Sequence, residues 1–143
     1  MPPADATQLL NDALADFQLV VTQTPTSSFA DGALFWSGRC RYELLLLQAA
    51  LADFDAVEAW PGAHAYPLNS QWVDNALYYE VRTRVDQATL ANDVALCDLA
   101  CPPMLELASS FLRTSPHTEA CAYFDGSPVC AARPTGRCNG CPP

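Results

Sequence analysis

Residues 39–59, RCRYELLLLQAALADFDAVEA, carry the strongest helical pattern in the chain, because they contain neither proline nor glycine. Large apolar residues recur at helical spacing, and further apolar residues widen this stripe until the middle is apolar all round. A helix of that kind is buried by neighbours on several sides. The stretch therefore predicts a single central helix from Arg39 to Ala59. The recurring residues are Leu44, Leu47, Leu51 and Phe54, and those that widen the stripe are Leu45, Leu46 and Ala49.

The flanking sequence predicts two further helices and their boundaries. Ala6 to about Val21 carries an apolar stripe at helical spacing, and the loop-forming stretch TQTPTSSFADG (residues 22–32) follows it. Proline and glycine in WPGAHAYP (residues 60–67) end the central helix. Two prolines before Met104 fit the first turn of a last helix, Met104–Arg113.

The segment from Gln71 to Ala100 is open to two interpretations. Residues 77–85, LYYEVRTRV, alternate as a strand does and contain residue types that favour strands. Valine or leucine also recurs every four residues, and oppositely charged pairs four residues apart suit a helix. We predict one long helix here, with a strand at 77–85 as the alternative. The four-residue pattern comprises Val73, Leu77, Val81 and Val85, and the charged pairs are Glu80–Arg84 and Arg82–Asp86.

The fold class expected from these elements is a mainly α-helical bundle of about four helices with an irregular tail. The chain of 143 residues, half of them apolar, suits one domain with a real core. Residues 1–116 are predicted to form the helical domain. Residues 117–143 are predicted to form a cysteine-rich and proline-rich tail that packs on this domain or on a partner.

The tail CAYFDGSPVCAARPTGRCNGCPP (residues 121–143) is rich in proline, glycine and cysteine and poor in large apolar side chains. Packing alone does not offset the entropy of ordering about twenty residues, at roughly 1–2 kcal/mol each for the backbone. Disulfides that close loops of this size contribute about 2–4 kcal/mol each. We therefore predict that the tail cysteines are cross-linked, with Cys101 or Cys97 joining them and Cys40 free. The tail cysteines are Cys121, Cys130, Cys138 and Cys141, and their pairing stays open because six cysteines allow fifteen pairings.

Zinc is the first alternative for the same cysteines. Cys97 and Cys101 are four residues apart and would share one face of a helix. They could therefore complete one tetrahedral structural site with Cys138 and Cys141. His117 and Cys121 form a second possible ligand pair. The other alternative is that several cysteines are buried or free thiols, which suits Cys40 and Cys97. The four ligands of the zinc site would be Cys97, Cys101, Cys138 and Cys141.

The formal charge of −9, from 16 acidic residues and 7 arginines, argues against a large nucleic-acid surface, because such a surface needs basic residues to displace phosphate counterions. The same balance argues against docking on anionic lipid. The N-terminus lacks the basic and long apolar regions of a signal peptide, and the most apolar run, Leu44–Ala52, is far shorter than the ~20 residues that span a bilayer. We therefore expect a protein made in the cytoplasm, without nucleic acid or membrane as a direct partner.

No sequence motif indicates a catalytic site. The chain has no nucleophile elbow, phosphate-binding glycine loop, zinc-protease motif or calcium loop. His64 and His117 lie in proline-bounded stretches and are expected to be solvated loop histidines. We therefore expect that the protein is not an enzyme and needs no cofactor, with one structural zinc as the alternative.

Aromatic residues near the predicted helix ends are candidates for a protein interface, because tryptophan and tyrosine often anchor such contacts. In helix order and composition the chain resembles small helical subunits of viral particles, such as head–tail connector or adaptor proteins of tailed phages. This resemblance implies a structural assembly subunit, located in a virion, that contacts itself as a homo-oligomer or other structural subunits. The alternative is a zinc- or thiol-dependent regulatory binding module. The interface candidates are Trp36, Trp60, Trp72, Tyr78 and Tyr79.

Overall fold

The computed structural model describes residues 2–60, 72–110 and 115–142, and within these ranges the chain is helical without strands. The prediction of a mainly helical fold is therefore confirmed, although the described ranges contain six α-helices rather than about four. The predicted helix stop at residues 61–67 and the predicted helix end at Arg113 lie outside the described residues. The elements are α1 (Ala4–Gln23), α2 (Ala30–Glu43), α3 (Leu47–Glu58), α4 (Val73–Ala91), a 3₁₀ helix (Val94–Ala100), α5 (Cys101–Ser110) and α6 (Ser115–Gly126).

The chain forms two compact units, Met1–Ala76 and Leu77–Pro143, and the boundary falls within α4. We refer to them as the N-terminal unit and the C-terminal unit. The domain boundary predicted from the sequence falls after residue 116, which lies within α6 and not within α4. All three tryptophans lie in the N-terminal unit, whereas every cysteine except Cys40 lies in the C-terminal unit.

The core of the N-terminal unit centres on α2, which packs against both α1 and α3. Most residues of α2 are buried, whereas none of α1 is. Phe35 stacks on Trp72 with ring centroids 5.2 Å apart, and Phe54 lies 5.9 Å from Phe35. Aromatic side chains of α2, of α3 and of Trp72, the residue just before α4, therefore share one cluster in this unit.

The predicted single helix Arg39–Ala59 is wrong, because the chain turns between α2 and α3. Leu45 adopts a left-handed backbone conformation with φ of 61°. The amide of Leu45 donates to the carbonyl of Tyr42, and the amide of Leu46 donates to the carbonyl of Arg41, which is the Schellman arrangement of a helix end. Glycine normally occupies the left-handed position of this motif, so the sequence contains no conventional signal for the turn.

Packing between α2 and α3 supplies the physical reason for this turn. Gly38 of α2 faces Phe54 of α3 so closely that a Cβ built at Gly38 would lie 2.6 Å from Phe54 Cε1. The Phe54 ring is fully buried by this approach. Burying a phenylalanine is worth roughly 1.5–3 kcal/mol, and together with the other buried apolar side chains of α3 it exceeds the cost of about 1–2 kcal/mol for a leucine in the left-handed region.

Residues 77–85 are helical within α4, so the predicted helix is confirmed there and the strand alternative is wrong. The predicted continuation to Ala100 is wrong, because α4 ends at Ala91. Asn92 has φ of 49°, and the Asp93 carboxylate accepts a hydrogen bond from the amide of Ala95 at the start of the 3₁₀ helix. Asparagine tolerates the left-handed region and Asp caps helix starts, so both steps of this break have local causes.

The predicted irregular tail is corrected at its beginning, because α6 occupies Ser115–Gly126. Its first turn contains Pro116, and the Ser115 hydroxyl donates to Glu119 Oε1 at 2.7 Å. A proline in the first turn is typical of a helix start. The predicted helix Met104–Arg113 corresponds to α5, Cys101–Ser110, which has two prolines in its first turn.

Candidate functional site

Three disulfides bind the part of the tail that follows α6, residues 127–142, to the helices of the C-terminal unit. Cys97 is paired with Cys130, Cys101 with Cys138 and Cys121 with Cys141. These cross-links connect the 3₁₀ helix, α5 and α6 to successive points of the tail. The interpretation of Cys97 as a plain thiol is therefore corrected, whereas Cys40 is the buried free cysteine.

Two salt bridges also connect the tail to the helices of the C-terminal unit. Arg133 Nε donates to Asp98 Oδ1 at 2.6 Å and so joins the tail to the 3₁₀ helix. Arg137 makes a bidentate pair with Asp125 of α6, and this pairing raises the pKa of the Arg137 guanidinium. Each pair has at least one exposed partner, so we expect the disulfides to supply most of the attachment.

His117 is buried in α6, with 4% of its surface exposed, so the expectation of a solvated loop histidine is wrong. Its Nε2 atom lies 2.8 Å from the carbonyl oxygen of Gly140 and 3.8 Å from Cys121 Sγ. A carbonyl oxygen only accepts, so Nε2 carries the hydrogen of this bond. The histidine therefore holds the end of the tail and lies next to a disulfide sulfur.

A mostly apolar cavity of about 630 Å³ opens between α6 and the end of the tail. His117, Cys121 and Asp125 line it from α6, and Arg137 and Cys141 line it from the tail. Its size is within the range of small-molecule sites, about 300–1,000 Å³. The cavity brings together a disulfide, an imidazole and an ion pair, of which the sequence had suggested only the cysteines and, as a zinc ligand, His117.

Of the tryptophan candidates for an interface, Trp36 and Trp72 belong to the aromatic cluster of the N-terminal unit. The Trp36 ring is 39% exposed, and its centroid lies 5.4 Å from Phe35 and 6.0 Å from Trp72. Trp60 and Trp72 are partly buried. A Cβ built at Gly32 would lie 2.9 Å from the Trp72 indole nitrogen, so this ring is held by close packing.

The two tyrosine candidates lie around an arginine of the C-terminal unit. The Arg82 guanidinium carbon lies 5.7 Å from the ring centroid of Tyr78, 5.3 Å from that of Tyr79 and 4.6 Å from that of Tyr123. Tyr123 in turn donates a hydrogen bond to Asp86 at 2.5 Å. Contacts of this kind stabilise by about 0.5–2 kcal/mol each, so these tyrosines have a structural role in the unit.

The turn between α2 and α3 exposes apolar surface that the sequence analysis had assigned to the core. Leu45 and Leu46 are each 51% exposed. Their predicted burial depended on a continuous helix, and the turn carries both side chains away from the α2–α3 contact. No sequence signal marked these two leucines as a surface feature, because the surrounding run is apolar throughout.

A partly buried ion pair joins α2 to α3. Arg41 donates to Asp53 Oδ1 at 2.6 Å, and the second carboxylate oxygen, Oδ2, has no hydrogen-bond partner among the described residues. Burial raises the pKa of Asp53, and the nearby charge and hydrogen bond of Arg41 only partly oppose that rise. Burial of the ionised Asp53 carboxylate therefore destabilises the fold, and Arg41 reduces this destabilisation.

Replacing Arg41 with methionine should lower the stability of the N-terminal unit by about 3 kcal/mol at neutral pH, because an unpaired carboxylate stays buried. The Asp53 pKa then rises further. Stability should recover as the pH falls below that raised pKa, because the folded state binds a proton that the unfolded state binds only near the ordinary carboxyl value. Urea unfolding followed by tryptophan fluorescence at pH 7 and about pH 5 measures both effects.

The matched control for this change is Glu43→Gln. It removes the exposed pair between Arg39 and Glu43, whose closest atoms are 3.7 Å apart. This loss should be below about 0.5 kcal/mol, with little difference between the two pH values. Equal losses for the two variants would contradict the role assigned to Arg41.

None of the helices in the described ranges is both long enough and apolar enough to cross a bilayer. Comparison with known proteins gave no match to a protein-family model, a curated protein or a solved structure.

Proposed function

We propose that the protein is an assembly subunit that acts through protein–protein contacts, with the Leu45–Leu46 turn as a principal contact. The observation that carries this proposal is the combination of a left-handed leucine and two half-exposed leucine side chains at one turn. We propose a binding role rather than an enzymatic one, because the turn presents apolar side chains and no reactive group.

The two leucine side chains of this turn contribute little to the stability of the fold. A leucine in the left-handed region costs about 1 kcal/mol more than a glycine would. Half-exposed leucine side chains return only part of their burial energy to the fold. Burial between α2 and α3 offsets this strain within the fold, and backbone strain of this kind is common at functional sites. A partner that covers Leu45 and Leu46 supplies the missing burial.

The charge of the N-terminal unit indicates which partner fits. Met1–Ala76 contains nine acidic residues and two arginines, a formal charge of −7, whereas Leu77–Pro143 carries −2. Two copies of so acidic a surface repel each other, and a partner with a basic rim is attracted. We therefore favour another structural subunit with an apolar and basic surface over a homo-oligomer.

More specifically, we propose that the protein is a head–tail connector or adaptor of a viral particle. Its support is the similarity in helix order and composition to small subunits of that kind. Mass spectrometry of intact particles purified from the native source tests it, because a connector is present in fixed proportion to the other structural proteins. Its absence from every particle preparation would exclude a role as a head–tail connector or adaptor.

The alternative of a zinc-dependent module needs the tail cysteines as thiolates. The same sulfurs form disulfides in the structure, so the two states compete for the same residues. Zinc content of protein purified under reducing conditions distinguishes them. One equivalent of tightly bound zinc would favour the regulatory module.

The contact itself is tested with glycine variants of the two leucines. Leu45→Gly relieves the left-handed strain, so the fold should be unchanged or up to about 1 kcal/mol more stable, while an apolar contact is lost. Leu46→Gly removes the same side chain where φ is −85°, and should destabilise by about 0.5–1 kcal/mol. A comparable leucine of α1, Leu19, is 50% exposed and serves as the control.

Quantitative pull-down from the native source should recover partners with the wild type and Leu19→Ala, and at least about tenfold less with either glycine variant. Sedimentation of the purified protein at low and high salt detects the homo-oligomer. Salt screens the repulsion between the acidic copies, so a homo-oligomer should form more readily at high salt. A monomer at both salt concentrations, combined with partners that the glycine variants retain, would contradict the proposal.

A further inference from the structure

We propose that Cys121–Cys141 is a redox-active disulfide, which a dithiol opens from the cavity beside His117. The three disulfides of the C-terminal unit differ in access. Cys97 and Cys130 are fully buried, so an incoming thiolate does not reach them in the folded protein. Cys121 and Cys141 both line the cavity of about 630 Å³, and Cys141 is only partly buried.

Access alone does not select this disulfide. Cys101 and Cys138 line a second cavity of about 510 Å³, and Cys101 is also partly buried. The difference lies in the sulfur that leaves. Attack on the accessible Cys141 expels Cys121, whose Sγ lies 3.8 Å from His117 Nε2. An adjacent imidazole stabilises a thiolate, and a more stable leaving thiolate departs faster.

The reaction is an ordinary two-step exchange. A thiolate of the dithiol attacks Cys141 Sγ, forms a mixed disulfide with it and releases Cys121 as a thiolate. The second thiol of the dithiol then attacks its own sulfur in the mixed disulfide and releases Cys141. The dithiol loses two electrons and two protons and becomes a disulfide, and the two cysteines gain both electrons and both protons.

The His117 hydrogen bond changes its partner during this reaction. In the oxidised protein the Nε2 hydrogen is donated to the carbonyl of Gly140, next to Cys141 in the chain. Once the cross-link is open, the segment 139–142 loses its covalent attachment to α6. As Cys121 leaves, the imidazole hydrogen passes from the Gly140 carbonyl to the developing Cys121 thiolate, which accepts a charge-assisted hydrogen bond.

Opening of this disulfide is a local event with a defined consequence. The Cys101–Cys138 cross-link still holds the tail up to residue 138. Beyond it, Gly140 packs against α5 so closely that a Cβ built there would lie 2.8 Å from Ala108 Cβ and 3.3 Å from the Met104 carbonyl. Its φ of 105° suits glycine. Release of residues 139–142 therefore uncovers a face of α5 that is closed in the oxidised protein.

The first test is reduction of the folded wild-type protein with graded dithiothreitol, followed by alkylation and peptide mass mapping. We expect alkylated Cys121 and Cys141 at dithiothreitol concentrations or times at least about tenfold below those that open the other two disulfides. Earlier opening of Cys101–Cys138, or opening of all three disulfides together, would overturn the proposal.

The second test is His117→Gln, with Thr118→Ala as the control on the same cavity wall. Glutamine keeps an amide hydrogen for the Gly140 carbonyl but stabilises a thiolate less than an imidazole does. We expect the Cys121–Cys141 bond to open about tenfold more slowly in His117→Gln and unchanged in Thr118→Ala. A histidine that only holds the tail in place predicts the opposite, because a looser tail opens faster. A rate in His117→Gln equal to or above that of the wild type would therefore overturn the proposal.

A third measurement examines the Cys121 thiol directly. The variant Cys141→Ser leaves Cys121 without its partner, so its rate of alkylation by iodoacetamide reports the thiolate fraction. Adding His117→Gln to this variant should slow the alkylation about tenfold at neutral pH. Equal rates in the single and double variants would show that His117 does not act on this sulfur.

Discussion

Replacing Cys97 and Cys130 together with alanine should lower the free energy of unfolding of the C-terminal unit by about 3–4 kcal/mol. This disulfide closes a loop with a sequence separation of 33 residues, and such closures remove that much entropy from the unfolded chain. Both sulfurs are fully buried, so their removal also leaves a small cavity. Hydrogen exchange resolved on peptides from residues 94–142 measures the loss in this unit.

Complete reduction extends the same argument to all three cross-links. The loss of three contributions of about 3 kcal/mol each approaches the whole stability of a typical domain, so the reduced C-terminal unit should exchange as an unfolded chain. Cys40→Ala is the control, because it removes a buried thiol of the N-terminal unit that forms no cross-link, and it should leave the exchange of residues 94–142 unchanged. Full exchange protection in the reduced protein would show instead that packing alone holds the tail.

Phe54→Ala should destabilise the N-terminal unit by about 3–5 kcal/mol, because the ring is fully buried between α2 and α3. Urea unfolding followed by tryptophan fluorescence reports on this unit, since it contains every tryptophan. Leu19→Ala, at a half-exposed position of α1, should cost less than about 1 kcal/mol and serves as the control.

A double-mutant cycle with Gly38 identifies the contact responsible. Gly38→Ala alone should destabilise by about 1–3 kcal/mol, because the new Cβ meets the buried Phe54 ring. In the Phe54→Ala background the same change should be neutral or stabilising, since the methyl enters the vacated space and alanine favours a helix over glycine. Additive effects of the two substitutions would contradict close packing of Gly38 on Phe54.

Local sequence determined the helical character of the chain and the positions of several helices. The stripe from Ala6 to Val21 produced α1, and the four-residue spacing over 77–85 outweighed the strand alternative in α4. Two further features have local signals in the sequence. Asn92 tolerates the left-handed conformation that ends α4, and Ser115 followed by proline marks the start of α6.

The candidate site was predictable in part. The tail has few large apolar side chains, so the sequence predicted that it needs cross-links. This prediction depends only on composition and chain entropy. The pairing was not predictable, since a disulfide requires two Cα atoms about 4.4–6.8 Å apart, and only the folded helices bring them there. The burial of His117 against Cys121 followed from α6, which had not been predicted.

The turn at Leu45 was decided by tertiary structure alone. Every residue from Arg39 to Ala59 is compatible with a helix, and a leucine opposes the left-handed conformation that the turn needs. The turn forms because it lets α3 pack on α2, where Phe54 fills the space beside Gly38 and Asp53 reaches Arg41. Local propensity determines where a helix is possible, whereas burial between two helices determined where this one ends, because the burial energy exceeds the local cost.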